Sequence, residues 1–187
     1  MATVKIFLGI VCFALFSGGS LPGRYNIKQA PKRVPTDREK LLRIAKNEIG
    51  VRELSGHNDG PRVAAYLRYT HVEQGSPWCA AFVSWVFGQA GYPAPRSPWS
   101  PALFPLSKRT KQVSPAVVFG IYFSHLKRIG HCGLVERQEG DWLTTIEGNT
   151  NIMGSREGDG LYRKRRPLKA IRYFADWAKK KGADNEN

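Results

Sequence analysis

Apolar residues recur at helical spacing from Leu41 through Leu42, Ile44, Ala45 and Ile49 until Gly50 stops the run, and Thr36 with Glu39 forms a capping box at its start. A second helical pattern opens at Pro61 and continues through Val63, Ala64, Tyr66 and Leu67, with Asn58 or Asp59 available to cap it. From Trp78 to Phe87 the chain is apolar on nearly every side, which predicts a helix inside the domain. Ser76 suits the cap of that helix and Pro77 its first position, so Cys79 is expected third, with Gly91 as the stop. The prolines between Gly91 and Pro105 exclude regular structure there and predict a stiff loop.

Beyond Val113 the period changes. Val117–Phe123, His131–Val135 and Trp142–Ile146 are rich in β-branched and aromatic residues and are separated by turn signals at Lys127–Gly130 and Gln138–Asp141, the pattern of successive strands. Leu161–Arg163 and Ala170–Phe174 are weaker strand signals, and Phe174–Lys180 reads as a short final helix. Helices first and strands after give an α+β domain, its N-terminal helices packed on an antiparallel sheet.

The chain has 187 residues, enough for one domain with a self-sufficient core. Residues 1–19 read apart from that core, as a secretory signal: Lys5 precedes the apolar run Ile6–Phe16, which is short for a membrane span, and small residues follow. Residues 20–36 read as a basic, proline-containing linker, 37–178 as the domain, and 179–187 as a polar tail. The formal net charge is +14; cutting after Gly19 removes Lys5 and leaves 28 basic against 15 acidic residues, or +13. That balance implies an acidic partner or surface, and with export an anionic cell wall or membrane surface fits better than nucleic acid.

Cys79 carries the candidate chemistry. A thiol in the first turn of a helix meets unpaired N–H groups and the positive end of the helix dipole, both of which favour thiolate. A cysteine nucleophile also needs an imidazole and a third polar group to hold that imidazole. His131, at the start of a strand, suits the first role; Glu147 and Asn149, two apart at the end of the next strand, both suit the second. Alternation along the strand turns Cys132 away from His131 and, by that reading, away from Cys79 into the core, which argues against a disulfide. Trp78 beside the thiol and Trp99 in the stiff loop are the aromatic residues expected to touch substrate. His57, His71 and His125 lie in polar settings, and His57-Asn58-Asp59 has capping chemistry rather than metal-ligand spacing. Arg163–Arg166 is the densest basic run, either a solvated strand edge or an anion patch.

Pro77-Trp78-Cys79-Ala80-Ala81-Phe82-Val83, then Gly130-His131-Cys132-Gly133-Leu134-Val135, then Ile146-Glu147-Gly148-Asn149-Thr150, in this order on helix, strand and strand, resembles the CHAP family of cysteine, histidine-dependent amidohydrolases and peptidases. The likeness spans roughly residues 37–174. It implies a papain-like fold and cleavage of an amide bond in peptidoglycan, with Cys79 as nucleophile, His131 as base, Glu147 as orienting acceptor and Asn149 as the fourth polar residue. Two departures accompany it. The stretch Tyr69–Ser76 holds only Glu73 as an acid, so no calcium or other cofactor is expected, and Ser114-Pro115-Ala116 and the insert Ser124–Ile129 are this chain's own. The expectation is thus an exported monomer acting on peptidoglycan, with no specific nucleic acid target and no membrane span after signal cleavage. The rival from another class is a non-catalytic basic protein that binds cell wall or nucleic acid.

Overall fold

The chain divides into two units, residues 1–33 and 34–187. The computed structural model describes residues 34–153 and 158–178, all within the second unit. The leader, most of the linker and the tail lie outside the described residues.

Three helices precede the sheet: α1 (Asp37–Asn47), α2 (Pro61–Tyr69) and α3 (Cys79–Gln89). Six strands follow, β1 (Arg109–Thr110), β2 (Val118–Phe123), β3 (Arg128–Glu139), β4 (Trp142–Thr150), β5 (Gly160–Pro167) and β6 (Tyr173–Ala175). They form one antiparallel sheet in the order β1-β6-β2-β3-β4-β5, so the domain is α+β. No helix among the described residues is long and apolar enough to cross a membrane.

The capping box at α1 is present in full, with Thr36 accepting from the Glu39 amide and Glu39 accepting from the Thr36 amide. Elsewhere, tertiary contacts move the boundaries. Asp59 does not cap α2, because its carboxylate already accepts from the amides of Leu54 (3.0 Å) and Ser55 (2.9 Å); Gly60, at φ 102°, takes the cap position. Helix α3 begins at Cys79 rather than Pro77, with Trp78 as its cap residue. The Trp78 indole is fully buried, stacks on Tyr66 at 5.6 Å and donates from Nε1 to Glu53 Oε1 at 2.8 Å, which fixes residue 78 outside the helix. Phe174 lies in β6, and residues 176–178 are not helical, so the expected final helix is absent among the described residues. The loop 91–105 does contain one short 3-10 turn, Ser100–Leu103.

Helix α3 is buried along most of its length and packs against α1, α2, β3 and β4. One face of the sheet closes on the helices through Cys132, Leu134 and Ile146. Residues one step out of phase, Val135 and Leu143, join Phe119 in a smaller cluster, as strand alternation requires. The central strands are thereby covered on both faces, and a polar side chain there must find a partner inside the protein.

Gly148 is where the sheet and the start of α3 approach most tightly. A Cβ at this position would stand 2.4 Å from Trp78 Cζ3 and 3.2 Å from Phe82 Cβ. Gly148→Ala is therefore expected to destabilise the domain by about 1–3 kcal/mol through overpacking, read as a lower midpoint in urea unfolding. An unchanged midpoint would mean that α3 lifts off the sheet freely.

Candidate active site

Cys79 is the first residue of α3 and is 5% exposed. No side chain caps this helix, so its first amides keep their unpaired positive ends at the sulfur. The stiff loop folds back over the same spot: Ser84 on α3 donates to the Ser97 carbonyl and accepts from the Ser97 amide, both at 3.0 Å. That anchor sets Ser100 Oγ 3.4 Å from Cys79 Sγ.

His131, 2% exposed, stands near the start of β3 just beyond a register shift between β2 and β3. Its Nε2 lies 2.9 Å from Glu147 Oε2. The other ring nitrogen, Nδ1, is buried without a formed hydrogen bond, and it is the nitrogen left for the Cys79 thiol. Resting geometry of this kind is loose in many nucleophile–base pairs and tightens when substrate binds.

Glu147 is fully buried, and its carboxylate is saturated. Thr145 Oγ1 donates to Oε1 at 2.5 Å, Arg166 Nε donates to Oε1 at 2.9 Å, and Arg166 Nη2 donates to Oε2 at 2.6 Å. Arg166 sits opposite Leu143 in the β4–β5 register and reaches along the strand past Thr145 to do this. The result is a chain of charge from Arg166 through Glu147 to His131 and the thiol.

The protonation states follow. Burial pushes the Glu147 carboxyl up, but the Arg166 and His131 hydrogen bonds and charges overcome it and hold the group at about 2. Burial alone would lower His131; the neighbouring Cys79 sulfur and the Glu147 carboxylate, through their negative charge and polar contact, raise it to about 9 instead. Cys79 is driven well below the usual thiol range, first by a hydrogen bond from the Cys132 thiol, then against burial by His131 and Ser100. Cys132 moves the opposite way, raised by burial and by the neighbouring Cys79. Both directions favour a thiolate–imidazolium pair over a neutral thiol and imidazole.

Several expectations need correction. Cys132 does not point away from Cys79: α3 covers the Cys132 face of β3, so the Cys132 thiol reaches both Cys79 and, at 3.8 Å, Ser100 Oγ. Strand alternation holds, but the sulfur sits where side chains from both faces reach it. The two cysteines are free thiols. Trp78 does not touch the groove, being fully buried in the core. Asn149 is not the acceptor of the imidazole N–H. A register shift between Glu147 and Thr150 and a left-handed φ of 54° break the alternation that would have put it beside Glu147, and its Nδ2 donates to Asn58 Oδ1 at 3.3 Å. Asn149 thereby ties the β4 end to the loop whose Glu53 holds Trp78 and accepts from the Asn58 amide.

Trp99 is half exposed and lines a groove of about 320 Å³ together with Cys79, Ser100, Arg128 and Gly130. Four residues of this site were not singled out individually by sequence: Ser100, Arg128, Thr145 and Arg166. Arg128 fell within the insert Ser124–Ile129, and Arg166 was the last arginine of the basic run. Among the described residues no group of three or more His, Cys, Asp or Glu side chains is placed to hold a metal ion. Comparison of the chain with protein-family models, with curated proteins and with solved structures finds no match.

The paired shifts fix the expected pH behaviour. Cys79 is lowered well below the ordinary thiol range, so its thiolate forms at a lower pH than that of a free thiol, and the raised His131 keeps the imidazolium up to about 9. Alkylation of Cys79 by iodoacetamide, followed by peptide mapping from pH 4 to 10, is expected to have its rising limb well below the roughly 8.5 of an ordinary thiol. Cys132→Ala is expected to move that limb upward. A limb at the ordinary thiol value in the unaltered protein would contradict the ion pair.

Proposed function

We propose that this protein is a cysteine amidohydrolase or peptidase of the CHAP type, with a papain-like arrangement of helix and sheet, acting on an amide bond of peptidoglycan. The observation that carries the reading is the thiol at the start of α3 beside an imidazole whose far nitrogen is held by a buried, doubly clamped carboxylate. A structural cysteine needs no such partners, whereas acyl transfer needs all of them. The groove at the thiol supports an extended substrate, and the signal-like leader and basic balance support a target outside the cell with anionic groups.

In this reading the Cys79 thiolate attacks the amide carbonyl. The amides at the start of α3 face the oxyanion that forms. His131, protonated and steadied by Glu147, gives its proton to the leaving amine as the C–N bond breaks, and the acyl group stays on sulfur. Water then attacks the thioester, His131 takes its proton as base, and the carboxylate product leaves with Cys79 restored as thiolate. Arg166 and Thr145 act one step removed, keeping Glu147 ionised and in place.

Digestion of purified sacculi with the mature protein, with fragments identified by mass, tests this. Released stem peptides or cut cross-links are expected, and Cys79→Ala and His131→Ala should each abolish them, since either loss removes the same route. Glu147→Gln is expected to be intermediate: its amide oxygen still accepts the imidazole N–H but no longer balances the imidazolium charge. Fragment release undiminished in Cys79→Ala would sink the assignment, and salt-sensitive binding with no new fragments would favour the non-catalytic basic protein.

A further inference from the structure

The insert Ser124–Ile129 contributes one residue, Arg128, to the wall of the groove. A 3-10 turn over Ser124–Leu126 and a left-handed Lys127 (φ 52°) turn the chain into β3, and the first residue of that strand, Arg128, lines the groove with Trp99 and Cys79. Cys79 aside, Arg128 is the one charged residue on the groove wall among the described residues. Its guanidinium stacks 4.1 Å over the Trp99 ring, and Nη1 donates to the Ile129 carbonyl at 3.0 Å.

Several of the described arginines of the domain meet no carboxylate, and Arg128 is the one of them that lines the groove beside Cys79. Arg38, Arg62, Arg137, Arg163 and Arg166 each meet a carboxylate of this chain, but among the described residues Arg128 meets none. Glu147, the acid behind the site, is already taken by Arg166, Thr145 and His131. Stacking on an indole fixes the guanidinium plane while leaving N–H groups at its edge, the arrangement suited to a planar carboxylate.

We propose that Arg128, backed by Trp99, selects substrates that carry a free carboxylate next to the scissile amide. This deepens the peptidoglycan reading and rests on it for the identity of the substrate. The indole gives the neighbouring aliphatic part of the substrate an apolar face, and the guanidinium holds the carboxylate so that the carbonyl lies over the thiolate. A carboxamide at the same place is neutral and would meet the arginine edge with one donor group against donors.

The test reads the groove with and without turnover. In full-length mature protein, the Cys79 alkylation rate is measured with anionic iodoacetate and with neutral iodoacetamide, and the ratio of the two is compared between the unaltered protein, Arg128→Gln and Arg128→Lys. The imidazolium of His131 acts equally in all three, so it cancels. A fall in the ratio of about five- to tenfold in Arg128→Gln, with partial retention in Arg128→Lys, is expected for one partly solvated charge-assisted contact. In parallel, KM is measured for a synthetic stem peptide with a free carboxylate beside the cleaved bond and for its carboxamide twin. The unaltered protein should favour the carboxylate peptide, and Arg128→Gln should bring the two KM values together. An unchanged alkylation ratio, or equal KM values in the unaltered protein, overturns the proposal while leaving cleavage itself intact. A ratio that falls as expected in a protein that cuts neither peptide supports carboxylate recognition and refutes the hydrolase reading instead.

Discussion

Glu147 carries a negative charge in a place where water does not reach, and a buried ion is tolerated only when its partners replace the water it has lost. Here two N–H groups of Arg166, the Thr145 hydroxyl and His131 do so. Removing one member of such a set typically costs about 3–5 kcal/mol, because the remaining charge is left uncompensated. The requirement ties β3, β4 and β5 together at one point, since His131, Glu147 and Arg166 come from three adjacent strands. It also fixes the imidazole: with Nε2 engaged, only Nδ1 remains for the thiol.

The thiol end is set by a different constraint. Trp78 is locked into the core by Tyr66, Glu53 and the bare backbone of Gly148, so α3 starts at the next residue, with the sulfur at its positive end. The loop pinned by Ser84 then brings Ser100 to the sulfur, and β3 brings Cys132. Ser100, Cys132, His131 and a helix start thus converge on one buried sulfur, surroundings that favour its thiolate form.

Much of this was legible in the sequence where the signal was local. The α1 capping box, the all-round apolar α3 and the β2–β3–β4 series each depend on residues a few positions apart. The candidate thiol, imidazole and carboxylate were legible because helix starts and strand ends are where such groups act. What was hidden depends on register. The break between Glu147 and Thr150 turns Asn149 toward Asn58, and no local pattern announces a bulge. Arg166 looked like one more exposed base, because its reach to Glu147 is set by how β5 pairs with β4. Cys132 was misplaced for a related reason: alternation says which residues share a face, but not which face the helix covers. Trp78 was misread as a substrate contact because a tryptophan beside a nucleophile looks the same in sequence whether its ring faces the groove or the core.

The central physical claim is that His131 is held as an imidazolium by the thiolate on one side and Glu147 on the other. Its ring can be observed directly by ¹⁵N NMR of histidine-labelled protein titrated from pH 5 to 10, with assignment by His131→Gln. The expected result is a protonated ring at neutral pH that titrates near 9, with a lower midpoint in Cys79→Ala as the thiolate's share of the field is lost. A ring that is neutral at pH 7, with the same midpoint whether or not the sulfur is present, would contradict the account.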